Sequence, residues 1–170
     1  LPALPKAVII GGPHTSNWDG IVTLAAMMQL GLDAHVMIKD SAFKGPLGSL
    51  LRWMGALPID RNKAGGVVEQ TVAQFNGAEQ LFMVVAPEGT RGGATQWKTG
   101  FHRIAHQAGV PIIVATADYR KKEIDFPLVL EPGDDLDADL ATIFSTYALV
   151  HPRHPDKLSA PLKALREKQR

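Results

Sequence analysis

Apolar positions along this chain follow two rhythms, short continuous runs and spacings of three and four. Ala7-Val8-Ile9-Ile10, closed by Gly11-Gly12-Pro13, reads as a buried strand. Trp18, Ile21, Val22, Ala25, Met28 and Gln29 then recur at helical spacing up to Gly31, with Asn17 as the expected cap. Residues 34–38 predict a second strand, 48–54 a short helix with Leu50, Leu51 and Met54 on one side, and 57–60 a further strand. Val68, Thr71, Val72 and Phe75 mark the stripe of a helix over roughly 64–76. Leu81–Val85 is the most continuous β-rich run and is expected at the sheet centre. Phe101, Ile104, Ala105 and Ala108 set a helix that Gly109 ends, and 110–115 form the next strand. Pro127 places the strand 124–130 near a sheet edge, because proline cannot donate a ladder bond. Residues 136–149 read as a helix, with Asp134 and Asp135 at its positive end.

This alternation predicts an α/β, single-domain sandwich: a central, mostly parallel or mixed sheet flanked by helices. The domain is expected over residues 1–150. His151-Pro152-Arg153-His154-Pro155 breaks the pattern, and 151–170 reads as a C-terminal tail, helical in part and solvated. A length of 170 residues suits one domain, and 45% apolar with 21% charged residues is ordinary globular usage. A net charge of +1 gives no reason to expect nucleic acid as a partner. The absence of cysteine excludes disulfides, thiolate zinc sites and a cysteine nucleophile. No apolar run approaches the ~20 residues that span a bilayer, and no signal peptide is expected at the start. The chain opens at Leu1, which leaves open an upstream segment with a membrane anchor.

The chemistry concentrates in turns. His14-Thr15-Ser16-Asn17-Trp18-Asp19 sets an imidazole and a carboxylate five positions apart, in a strand-to-helix turn. A carboxylate beside a histidine fixes the ring's tautomer and stabilises the imidazolium, which makes a general base. Alone, such a pair reads as a turn histidine beside a helix cap. Its company changes that reading: Arg61 follows the strand at 57–60, and Arg91 lies in Pro87-Glu88-Gly89-Thr90-Arg91-Gly92 after Leu81–Val85. Guanidinium groups clamp oxyanions through paired hydrogen bonds. In α/β sheets, loops beyond the strand ends collect ligands, so these turns converge if their strands are parallel neighbours.

Taken together, these segments resemble the glycerolipid acyltransferases, the family of the 1-acylglycerol-3-phosphate acyltransferases. Its H-x4-D motif matches His14 to Asp19, its second motif matches Gly55 to Arg61, and its F-P-E-G-T-R-S motif matches Ala86 to Gly92. Val110-Pro111-Ile112-Ile113 matches the fourth, and the order is kept over about 1–115. Ala86 stands where phenylalanine is commoner and Gly92 where serine is.

The resemblance implies transfer of an acyl group from acyl-CoA or acyl carrier protein to a lysophospholipid hydroxyl, with 1-acylglycerol-3-phosphate the first candidate. A thioesterase-like hydrolase and a different acceptor are the alternatives. His14 would be the base and Asp19 its orienting partner. Arg61, Arg91, Glu88, Gly89, Thr90 and Lys39 would surround the acceptor phosphate, with Glu88 positioning Arg91. Pro111 would belong to the donor or acyl-chain side. No cofactor and no metal are expected, since the thioester is itself a substrate.

The acceptor is an amphiphile, so a peripheral site on the cytoplasmic face of a membrane is expected, with Phe43, Leu47 and Trp53 as the apolar patch. His102 and His106 have metal-ligand spacing but no third ligand in view, and read as helix surface. Trp97-Lys98-Thr99-Gly100-Phe101 reads as a helix start or as a family element.

Overall fold

The structure, a computed structural model, describes residues 4–32, 34–53, 55–59 and 66–168. Strands β1 (Lys6–Gly12), β2 (Ala34–Lys39), β3 (Leu57–Ile59), β4 (Leu81–Val85), β5 (Ile112–Asp118) and β6 (Glu123–Leu130) form one sheet in the order β3-β2-β4-β1-β5-β6. All neighbours run parallel except β6, which pairs antiparallel with β5 at the edge and carries Pro127 there. The helices are α1 (Asn17–Gln29), α2 (Gly45–Trp53), α3 (Gly66–Gly77), α4 (Gly100–Ala108), α5 (Leu136–Ala148) and α6 (Ala160–Lys168). The α/β sandwich is therefore as expected, with a mixed sheet.

Side chains alternate across a strand, so each central strand supplies both faces. Val8, Ile10, Met83, Ile112 and Val114 point into the larger core, which Phe75, Phe101, Ile104, Ile143 and Tyr147 fill from α3, α4 and α5. Ala7, Ile9, Phe82, Ile113 and Ala115 form a smaller core on the opposite face, closed by Met27 of α1. Because β1 and β5 are covered on both faces, their runs are apolar throughout.

Three expectations change at this level. The row of α1 picked out by spacing faces outward: Trp18, Ile21 and Met28 are 51%, 55% and 72% exposed, while Asp19, Thr23 and Met27 are buried. The tail is not solvated, because Leu158 and Leu162 join the larger core and Arg166 donates to the carbonyls of Ala148 and Val150 at the end of α5. Phe43, expected in an exposed patch, is buried beneath the Arg52 guanidinium. The side chains of Leu47 and Trp53 lie outside the described residues.

Of the two histidines expected on the helix surface, His106 is exposed there and His102 is buried. Each bonds a carboxylate of the segment at the start of α5, His102 to Asp139 at 2.7 Å and His106 to Asp134 at 3.1 Å.

Candidate active site

The topology that places β1 between β4 and β5 also assembles the site. Ile10 is level with Val85 and Gly12 with Thr116, so the turns leaving β1, β4 and β5 emerge side by side at the carboxyl edge of the sheet. They carry His14, Glu88 and Tyr119. Gly12 has a local reason to be glycine: a Cβ there would stand 3.1 Å from the Tyr147 ring, which packs beneath the end of β1. The Tyr147 hydroxyl donates to the Ile10 and Ala115 carbonyls at 2.7 and 3.2 Å, tying β1 to β5 directly under the turn.

Ser16, not Asn17, caps α1; its hydroxyl accepts the Trp18 N–H at 3.2 Å. Asp19 completes the capping box from the third helical position. Its Oδ2 accepts the Thr15 and Ser16 N–H groups at 2.6 and 2.7 Å and stands 3.6 Å from His14 Nδ1. Its Oδ1 accepts the Tyr119 hydroxyl at 2.7 Å. Burial by itself would raise the pKa of this carboxyl, but bonds from His14, Tyr119, Ser16 and Thr15 outweigh it and hold the value below the ordinary 3.8. Asp19 is thus a fixed negative charge beside a partly exposed imidazole. The same contact, with burial as the larger cause, pushes the Tyr119 hydroxyl up to about 12, so it stays a donor.

Glu88 is buried in the turn after β4, and its carboxylate accepts the His14 N–H at 2.9 Å and the Ser159 hydroxyl at 3.4 Å. In place of the expected orienting of Arg91, it pins the His14 backbone and links it through Ser159 to Trp97, whose Nε1–H donates to Ser159 at 2.9 Å. Burial raises its pKa to about 7, more than the His14 and Ser159 bonds lower it. Gly89 follows with φ of 65°, the left-handed conformation that favours glycine, and the end of the Lys98 side chain lies close above it. Thr90 and Arg91 are exposed at the rim, where the Thr90 hydroxyl accepts the Gly92 N–H.

Lys39 ends β2, one strand beyond β4; its side chain lies outside the described residues, and Arg61 lies wholly outside them. Pro111 does not reach the site. It precedes β5, and its carbonyl accepts the Val8 N–H, which puts it at the amino edge of the sheet, a strand's length from His14.

Two hollows meet at this edge. A cleft of about 360 Å³ is lined by His14, Asp19, Ile21 and the end of β4. A second of about 590 Å³ runs toward α3 and α4, past Met37, Val68, Phe101 and Ile104. Both share Val36, Val84, Val85 and Ala86, because β2 leaves β4 after Val36 and turns to β3. The result is a crevice at the strand ends, with His14 and Asp19 in the smaller hollow and mostly apolar walls in both.

Residues 1–116 match the family model described as Acyltransferase. The chain belongs to the glycerolipid acyltransferase family. No curated protein and no solved structure matches it. The protein is therefore an acyltransferase, with an acyl donor and a lipid acceptor as its substrates. The matched span holds the turns that carry His14 and Glu88. Tyr119 and Ser159 lie beyond it, and no motif in the chain points to either.

Proposed function

We propose that this acyltransferase moves a fatty acyl group from acyl-CoA or acyl carrier protein to the free hydroxyl of a lysophospholipid, 1-acylglycerol-3-phosphate foremost. The observation that carries the proposal is the buried, multiply bonded Asp19 carboxylate set against the Nδ1 edge of His14, in a mostly apolar cleft that opens into a second, larger groove. With Nδ1–H turned to Asp19, the Nε2 lone pair is left for the acceptor hydroxyl. As that oxygen attacks the thioester carbonyl, Nε2 takes its proton and Asp19 offsets the imidazolium charge. The C–S bond then breaks, and the proton passes from Nε2 to the leaving thiolate. The Nδ1 to Oδ2 separation of 3.6 Å tightens as the charge develops.

Direct transfer fits the groups nearby. The Ser16 hydroxyl is occupied by the helix cap, and the Thr15 hydroxyl accepts the His154 N–H. The groove toward α3 and α4 suits the acyl chain. Arg91 at the rim, together with Arg61, suits the acceptor phosphate, and acyl-CoA or acyl carrier protein as donor suits a peripheral enzyme on the cytoplasmic face of a membrane.

A labelled acyl donor offered with a panel of lysophospholipids, glycerol 3-phosphate and water alone, followed by mass spectrometry, tests this. Label is expected in diacylated phosphate lipid. Each charge-assisted bond is worth roughly 1.5–3 kcal/mol, so Arg91→Ala should weaken acceptor use about 10–100-fold with the donor constant unchanged. Labelled free acid formed at the same rate without acceptor would make the protein a hydrolase instead.

A further inference from the structure

The outer face of α1 runs along the wall of the crevice and carries an apolar row that stays exposed among the described residues. Trp18, Ile21, Ala25 and Met28 follow at spacings of three and four, and Leu30, at the C-cap and off that spacing, is also exposed, at 54%. A soluble surface helix normally turns such residues inward; here the polar Asp19 and Thr23 are buried and the apolar row is out.

Cations gather around it. The Arg153 guanidinium lies 5.8 Å from both the Trp18 and the Tyr119 ring centroids. Arg120, Lys121 and Lys122 form the exposed turn between β5 and β6; Asp118, which accepts the Arg120 and Lys121 N–H groups at 2.9 Å, and Glu123 are the acids beside them, and with Arg153 the cations outnumber these acids. Val22 of α1 and Lys122 line the same hollow of about 240 Å³, so the helix and the basic turn form one continuous surface.

We propose that this surface docks the enzyme on an anionic lipid bilayer, with the α1 row entering the acyl boundary and the basic turn with Arg153 at the headgroups. The row is a convex helix face bordered by positive charge, the arrangement an interfacial helix presents to anionic lipid. A second copy of the chain is disfavoured, because a two-fold contact through this face would bring like-charged turns together. Ile21 belongs to both the row and the cleft that holds His14, so a lipid acceptor leaving the interface enters the site without crossing water. This last consequence rests on the acyltransfer reading; the docking does not.

The test is co-sedimentation with vesicles of phosphatidylcholine alone and of phosphatidylcholine mixed with phosphatidylglycerol. The parent should pellet with the mixed vesicles and be released by high salt. Met28→Ser with Leu30→Ser should weaken partitioning about 10-fold or more, and Lys121→Glu with Lys122→Glu by a similar factor. Both double variants should keep the parent's turnover on a short-chain acceptor held below its aggregation concentration, which separates failure of docking from failure of the chemistry. Equal pelleting of parent and variants, equal pelleting with neutral and anionic vesicles, or a dimer in solution that Met28→Ser with Leu30→Ser dissociates would each overturn the proposal.

Discussion

Two buried carboxylates reach the turn that carries His14, Asp19 from the first turn of α1 and Glu88 from the turn after β4. Asp19 meets four donors, counting His14, and burial loses to them. Glu88 meets two, at 2.9 and 3.4 Å, and burial wins. The number of donors, more than the depth, sets which acid stays charged. A base that takes up a proton needs a fixed counter-charge, and Asp19 is built as one. Glu88, with its pKa at about 7, is a hydrogen-bond acceptor that holds the His14 backbone.

Removing the groups in turn separates the roles of the two acids. His14→Ala should cost about 10²–10⁴-fold in turnover with normal thermal unfolding. Asp19→Asn should cost nearly as much, because an amide supplies no charge and favours the wrong tautomer. The double variant should be little worse than either single one, since the two act as a unit; losses that multiply in steady-state assays would separate them.

Glu88→Gln should lose far less, about 10-fold or under, because the amide oxygen can still accept the His14 N–H. Its signature lies in stability. A carboxyl raised from 4.5 to about 7 in the fold favours the folded state when protonated. That contribution is complete below the unfolded value and is lost as pH rises through about 7, amounting to at most ~3 kcal/mol. Asp19, lowered below 3.8, contributes above that value and loses its effect only in stronger acid. Thermal unfolding from pH 4.5 to 8 should therefore decline with pH in the parent and flatten in Glu88→Gln. A turnover loss matching that of Asp19→Asn would make Glu88 a second counter-charge and erase the contrast.

The smallest effect is expected from Tyr119→Phe, which removes one of several bonds to Asp19. Turnover should fall a few-fold, and the acid limb of the stability profile should move to higher pH as the carboxyl is held less firmly. An unchanged acid limb would show that the backbone N–H groups of Thr15 and Ser16 suffice.

The strands were legible because runs such as Leu81–Val85 are apolar on both faces, and continuous apolarity has few other meanings in a chain of this length. The pairing of His14 with Asp19 was legible because it is local. What periodicity could not say is which way a face turns: it marked Trp18, Ile21 and Met28 as one row on α1, and the fold buries the row carrying Asp19, Thr23 and Met27. Tyr119 was out of reach for another reason, since it is 100 residues from Asp19 and only the β1–β5 register brings them together. Glu88 was found but given the wrong neighbour, because a motif shows adjacency in sequence to Arg91 and not the backbone N–H of His14, 74 residues away. The tail was misjudged because its polar surface residues outnumber Leu158 and Leu162, the two that anchor it.

That anchoring has a consequence for how the enzyme is made. The stretch after α5 threads past every part of the site: the His151 carbonyl accepts the Tyr119 N–H, the His154 N–H reaches Thr15, and Ser159 reaches Glu88. During synthesis the turns holding His14 and Glu88 leave the ribosome well before residues 151–162 do. A nascent chain can pair its central strands early, yet the contacts that brace the base and its neighbours close only when residues 151–162 emerge and dock. The order of translation thus makes the bracing of the site a late event, and a chain ended after Val150 is expected to pair its sheet and turn over poorly.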